Sequence, residues 1–414
     1  MKFKFLNYYN ALKEHKNDSL FRNSYYLIGN TFITAAIGFF FWIIAARLFS
    51  PEDIGISSAI ISVMSLISVF ALLGFDISLI RFLYEQKDKT AFINSSFTLT
   101  AVISTLLSLV FLTGLDIIAP DLMILKDNIY FGLTFILITV FFTLFTLQLS
   151  VFIGFRAVKY SFFQSFINLS KIVLLPFLII FGSFGIYLSF GLFYFIAFIA
   201  GVIFIKRVLN DYSPVPVFKL EMVKNMAGYS FNNYITNIFY STPHFLLPLL
   251  VLNVLGPVIN AYFYIAWTFA SILFTIPFAV SRSFLAEGSL DKSQSALKSL
   301  KFTFILLFVV VMLVILFGQL ILSLFGGEYA LNAYNVLILL SLSSFPFAVV
   351  QIFVSLKRIK KDMKPVIIVN FMVALISILL SYVLMNKFGL IGVGFAWLTA
   401  NLIIAITVLK YLKE

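Results

Sequence analysis

The chain has 414 residues, of which 62% are hydrophobic, 18% aromatic and only 11% charged. A soluble domain averages about 45–50% apolar and about 25% charged, so too little polar surface is present to cover a water-soluble fold. Cysteine is absent, which excludes disulfides, thiol catalysis and cysteine-based metal sites. The net charge is +12, and in a membrane protein that excess reads first as cytoplasmic loop charge rather than as a nucleic-acid surface.

Residues 1–23 carry Lys2, Lys4, Lys13, Lys16 and Arg22 but no apolar stretch before Leu20, which is not the pattern of a signal peptide. Phe5, Tyr9 and Leu12 fall at roughly helical spacing and predict an amphipathic helix on the cytoplasmic membrane surface. A disordered basic tail is the alternative. Windows of about twenty apolar residues then predict twelve transmembrane helices. They run over 24–47, 55–82, 92–115, 128–153, 161–181, 184–205, 226–252, 258–281, 299–323, 331–356, 365–385 and 389–410. The runs are unbroken rather than alternating, which argues for an all-α integral membrane protein and against a β-barrel.

Sorting the 29 basic residues by these spans places 25 on one side of the membrane and three on the other, with Lys171 inside a span. Basic loops stay in the cytoplasm, so the split predicts that both termini are cytoplasmic and that the helix count is even. The longest polar connection, KRVLNDYSPVPVFKLEMVKN, carries Pro214 and Pro216 and separates the sixth helix from the seventh. The expected organisation is therefore a cytoplasmic segment 1–23, a six-helix lobe 24–205, a linker 206–225, a second lobe 226–410 and a tail 411–414. The halves also resemble each other. FGSFGIYLSF at 181–190 matches FGLIGVGFAW at 388–397, and LFSPEDIGISSAII at 48–61 matches VLGPVINAYFYIAW at 254–267. Offsets of 207 and 206 point to a parallel repeat around a central cavity.

Polar residues within the spans nominate the site. On the fifth helix Ser161, Gln164, Ser165, Asn168 and Lys171 share one stripe. Lys171 lies near mid-membrane, where a lysine costs about 2.5–3.5 kcal/mol on insertion scales. It needs water, an anionic ligand or a carboxylate; Asp76 is the nearest candidate, either as an ion-pair partner or as an ion-coupling group. The seventh helix carries Tyr229, Asn233, Thr236, Asn237, Tyr240 and His244, and the first carries Asn30 and Thr34. Such stripes serve either as cavity lining or as interhelical glue. Arg22, Arg81 and Arg282 end up near one mouth, where they are either positive-inside anchors or a ring for an anionic headgroup. Pro243 and Pro248 interrupt the seventh helix as candidate hinges. The chain has no Walker A, HExxH or Gly-x-Ser-x-Gly motif, so the residues point to no enzyme and no cofactor.

Several loose motifs recur in a familiar order. They are ARLFSPEDIGISSAI (46–60), LLGFDISLIRF (72–82), FIGFRAVKYSFFQSFINLSKIVLLPF (152–177), FGSFGIYLSF, LNVLGPVINAYFYIAWTFASIL (252–273) and LFGGEYALNAYNVLILLSLS (324–343). With them the chain resembles Wzx-type polysaccharide (O-antigen) flippases of the multidrug/oligosaccharidyl-lipid/polysaccharide (MOP) exporter superfamily. The resemblance implies two six-helix lobes in a V that alternate between inward-open and outward-open states. It implies an isoprenoid-pyrophosphate-linked oligosaccharide as cargo, moved to the outer leaflet of the plasma membrane for surface polysaccharide biosynthesis. It implies that Arg22, Arg81, Lys171 and Arg282 meet the anionic headgroup. A monomer is expected, with polysaccharide polymerase and glycosyltransferases as partners and no nucleic acid. The rival is a cation-coupled drug exporter of the MATE type, which would be expected to place carboxylates in its cavity.

Overall fold

A computed structural model describes the backbone of residues 19–290 and 295–412; the side chains of 19–22, 24, 220–230 and 289–290 lie outside that description. Most of the expected amphipathic segment therefore lies outside it, as do the side chains of Arg22 and Tyr229.

All regular secondary structure among the described residues is helical, and eleven helical stretches are long and apolar enough to cross a membrane. The chain is a multi-pass integral membrane protein. The first half comprises α1 (Ser19–Leu48), α2 (Pro51–Ala71), α3 (Phe75–Phe82), α4 (Lys89–Thr113), α5 (Ile129–Gly154), α6 (Lys159–Ile167), α7 (Lys171–Leu174) and α8 (Gly182–Val208). The second comprises α9 (Leu220–Leu255), α10 (Pro257–Leu290), α11 (Ala296–Ser323), α12 (Tyr334–Leu342), α13 (Ser344–Ile359), α14 (Met363–Phe388) and α15 (Leu390–Leu409).

Three spans differ from the regular helices expected. The second breaks at Leu73 and Gly74, which take φ of 46° and 78°, so α3 starts afresh with Asp76 in its first turn. The tenth breaks at Ser343, three residues before Pro346, because proline cannot donate to the preceding turn. The fifth is α6 and α7 separated and followed by 3₁₀ turns, with Pro176 in the second of these. This fifth span joins α8 in one 50-residue helical stretch. The stretch doubles back at Gly182 (φ 53°). Gln164 Nε2 donates to Ala197 O across the bend (2.7 Å), and a Cβ on Gly185 would stand 2.1 Å from Leu178 O. One stretch thus accounts for the fifth and sixth expected helices.

The repeat seen in the sequence extends to the backbone. Gly182 and Gly389 take matching conformations, φ 53° ψ −133° and φ 58° ψ −141°. Gly185 and Gly392 each meet a carbonyl of the preceding arm, Leu178 O and Leu384 O. Arg156 and Lys361 both adopt left-handed backbone (φ 55° and 57°) just after α5 and α13. The same bond closes each turn: Ala157 N donates to Phe152 O (2.8 Å) and Asp362 N to Lys357 O (2.9 Å). This is the Schellman arrangement of helix ends. The halves meet where α2 lies against α9 and α10, and α2 packs there as closely as any pair of helices within the first half.

The connection between the halves is shorter than its sequence suggested and is not free. It spans residues 209–219 and is strapped along α4. Asn94 Nδ2 donates to Ser213 O (2.6 Å), and Val217 N donates to Thr98 Oγ1 (3.2 Å). Lys219 Nζ donates to Asp88 (2.7 Å), which also caps α4 by accepting from Ala91 N (2.8 Å). The Lys219 bond, and then the Ala91 amide, hold the Asp88 carboxyl below its usual 3.8. A depressed carboxylate adds stability above its unfolded pKa and loses it as pH falls through the folded one. Asp88→Asn keeps a capping oxygen and deletes only the charge. The variant is expected to be slightly less stable than the parent at neutral pH, by under about 1 kcal/mol because the pair is half exposed. The two should converge below pH 3.8 when melting is followed in detergent across pH. A gap that persists at acid pH would mean that the pair is not what ties the strap.

Candidate functional site

The two halves seal against each other at one end. Pro51 and Pro257 open α2 and α10, where proline's fixed φ suits a first helical turn. These equivalent helix starts cross at backbone contact: a Cβ on Gly55 would lie 1.8 Å from Pro257 O. Asn260 Nδ2 donates to Gly55 O (2.7 Å) and to Ser58 Oγ (3.2 Å). Arg47, at the end of α1, donates Nε–H to Leu324 O (2.8 Å) and Nη2–H to Ser323 O (2.7 Å), satisfying carbonyls at the C-terminus of α11. The loop between α4 and α5 packs here through its buried residues Leu115, Ala119, Leu122 and Leu125, and Asn253 Nδ2 donates to Ile118 O (2.6 Å). Towards the opposite, basic end α1 is sparsely covered, with Tyr25, Ile28 and Phe32 exposed.

Between the halves lies a cavity of about 340 Å³, walled by Ser62 and Ser65 of α2, Tyr240 and His244 of α9, and Tyr264 and Trp267 of α10. A second, apolar cavity of about 230 Å³ opens between α1 and α10, with Gly38, Phe39 and Trp42 on one side and Phe269 and Ile272 on the other. Thr268 and Ser271 line both, so the two adjoin along α10. Trp42 and Tyr264 meet edge-on at 4.9 Å where they join.

The sequence-predicted residues divide between this cavity and the packing around it. Tyr240 and His244 line the cavity. Asn237 accepts from Ser241 Oγ (3.4 Å), Thr236 is buried with its hydroxyl on Asn232 O, and Asn233 is half-buried. The α6 stripe was expected to face the cavity, and most of it does not. Gln164 Nε2 donates to Gln148 Oε1 (2.6 Å) as well as to Ala197 O, and Gln148 Nε2 donates to Phe198 O (3.0 Å). The stripe therefore ties α5, α6 and α8 together. Gly201 makes this possible, since any Cβ there would collide with both amides. Ser165 Oγ donates to Asn30 Oδ1 in a short contact that joins α6 to α1, so Asn30 also points into packing. Asn168 Oδ1 is buried without a partner among the described residues. The reason is general: helical spacing says which residues share a side, and a buried carbonyl or amide satisfies them as well as water does.

Lys171 is 6% exposed and engaged in no ion pair among the described residues. Its Nζ lies 4.2 Å from the centroid of Phe190 and 5.2 Å from that of Phe41. Phe41 contacts Trp42, and Trp42 reaches Tyr264 of the cavity wall, so the lysine sits behind the wall. The pair with Asp76 is not made. Asp76 stands in the first turn of α3, facing the amides of Ile77 and of itself.

Arg81 and Arg282 are both exposed near the basic end. Arg282 lies over the Phe278 ring at 4.3 Å, and its charge reaches Tyr240 and Arg358. Arg358 was not singled out from the sequence. Its Nε is buried without a partner among the described residues, close enough to Arg282 to feel its charge. The run Lys357–Lys364 signalled positive charge there, but composition does not tell which member of such a run turns inward.

A family model described as polysaccharide biosynthesis protein matches residues 20–272. No curated protein sequence matches the chain. Among solved structures, the lipid II flippase MurJ in an inward closed conformation superposes with a TM-score of 0.75 at 17% identity, covering 94% of this chain and 87% of that one. An inward-facing multidrug resistance MATE transporter of the MOP superfamily gives 0.70 at 14% identity, covering 92% and 94%. A MOP superfamily transporter from Pyrococcus furiosus gives 0.62 at 13% identity, covering 95% and 94%. The fold is that of the MOP transporters.

Proposed function

The chain belongs to the polysaccharide biosynthesis protein family, and from that premise we propose that it is a flippase for an isoprenoid-pyrophosphate-linked oligosaccharide. It works by alternating access between two six-helix lobes, residues 24–205 and 226–410. Both termini and the basic end face the cytoplasm, and the protein resides in the plasma membrane. One observation carries the reading: the cavity is sealed at the end away from the basic loops and adjoins an apolar gap between α1 and α10. A headgroup enters from the basic side past Arg81 and Arg282, while the isoprenoid chain stays in lipid and passes through the gap. Arg282 and Arg358 offer donors that suit a pyrophosphate. The MATE-type reading shares the fold, but no carboxylate lines the two cavities described, which disfavours a cationic drug as cargo.

Disrupting the gene is expected to abolish surface polysaccharide and to raise its lipid-linked precursor on the cytoplasmic leaflet. Arg282→Ala should raise the precursor partially at equal protein abundance. Unchanged polysaccharide together with raised sensitivity to cationic drugs would overturn the flippase reading in favour of the exporter.

A further inference from the structure

The second half carries a groove that shares no lining residue with the two cavities between the halves. It measures about 520 Å³ and runs along α11 from Leu297 to Val309. Phe345 of α13 is the one residue that lines it from another helix. That ring stands two residues beyond the break at Ser343 and meets Phe304 edge-on at 5.4 Å, so the two rings form the floor. Thr303 and Leu307 turn into the bundle and are buried, whereas Leu297, Ile305, Phe308 and Val309 are exposed. The groove therefore opens sideways, toward lipid.

Apolar side chains facing lipid need no explanation; the charge among them does. Lys301 lines the groove, and Lys298, three residues earlier, lies on the same side of the helix. Both are exposed, and neither forms an ion pair among the described residues. No acid stands in the first turn of α11, and no carboxylate lines the groove. A lysine lays its stem along apolar surface and keeps its ammonium group at the water boundary. Two ammonium groups thus gather at one end of an apolar slot with no counter-charge.

The length of the slot fits one kind of occupant. From Leu297 to Val309 it rises roughly 18 Å at about 1.5 Å per residue. One leaflet of a hydrocarbon core is about 15 Å deep. A helix, about 10–12 Å across with its side chains, would cover both lysines in hydrocarbon and leave them unpaired. A single acyl chain fills the slot and leaves the ammonium groups at headgroup level.

We propose that this groove binds an anionic phospholipid of the leaflet on the basic side. One acyl chain lies along α11 over Phe304 and Phe345, and Lys298 and Lys301 hold the phosphate as point charges. A zwitterionic lipid has an equivalent chain, but it brings a cation of its own to the two lysines, so the site selects net negative charge. The site is independent of the cargo.

The chain has no cysteine, so a single introduced one carries a bimane label at a chosen place. Phe302→Cys puts the label at an exposed position beside the groove. Ile203→Cys puts it at an exposed position of α8 near Lys206 and Arg207, which line none of the cavities described. The full-length protein is reconstituted in mixtures in which either phosphatidylglycerol or phosphatidylcholine carries brominated chains, and quenching gives the relative affinity at each label. Phosphatidylglycerol is expected to be preferred at least about fivefold beside the groove and under about twofold on α8. Lys298→Gln together with Lys301→Gln should bring the preference beside the groove under about twofold. Ile305→Trp, which fills the slot and keeps the lysines, should lower it as well. Equal affinities, or a preference that survives either the loss of both lysines or Ile305→Trp, overturn the proposal. So does an equal preference at both labels, which is the general attraction of basic loops for anionic lipid. A groove label that neither lipid quenches also overturns it, because a second copy or a partner helix then covers the groove.

Discussion

The Gly55→Leu protein is expected to lose glycan export by at least tenfold while remaining in the membrane. At this position a Cβ would stand 1.8 Å from Pro257 O, and the partner is backbone at the start of a helix, which cannot rotate aside. Ordinary overpacking costs about 1–3 kcal/mol because side chains yield; here the helices themselves must part. Separating them also strips Gly55 O and Ser58 Oγ of the Asn260 amide. The sealed end would then stay open and the cycle would stall. Spin labels at Ile117 and Val258, exposed residues of the two halves at the sealed end, should show a longer distance than in the parent protein. Parental distances with normal export would show that the crossing of α2 and α10 is not the seal.

Replacing Lys171 with methionine is expected to separate stability from transport. A lysine near mid-membrane costs about 2.5–3.5 kcal/mol. Ring contacts of the kind made with Phe41 and Phe190 return about 0.5–2 kcal/mol each when desolvated. The two nearly cancel, so Lys171→Met should leave thermal stability unchanged or raise it by about 1 kcal/mol. Export is expected to fall at least tenfold, and Lys171→Arg to retain part of it. The reason is position: the lysine lies one layer behind the cavity, shielded by Phe41 of α1, and α1 is the sparsely packed helix that must move when the halves rock. Its displacement would present an unpaired amino group to an anionic cargo. Normal export at equal abundance would reduce Lys171 to a packing residue. A large loss of stability would make it a structural one.

Much of the fold was legible because a bilayer imposes few rules. Long apolar runs, basic loops and a 206–207 residue offset were enough to expect a helical membrane protein of two related halves, and Gly182 and Gly389 carry that relation into the backbone. The breaks at Gly74, Ser343 and around Pro176 were less legible. They depend on where a lost amide is tolerated, and neighbouring helices decide that. The strap along α4 was invisible too, since a polar connection rich in proline looks the same whether free or docked.

The site divides along the same line. That Lys171, Gln164 and Ser165 share a helix side follows from 3.6 residues per turn, and the sequence by itself determined it. Few membrane carboxylates and a basic end also raised the expectation of an anionic rather than a cationic cargo. Only the tertiary structure decided what each polar side meets: Gln164 meets Ala197 O, Asn30 meets Ser165, and His244 meets the central cavity. The physical reason is that a polar group in a membrane requires a partner but does not specify one. Water, a carbonyl or a ligand satisfies it equally, and only the packing of distant segments selects among them.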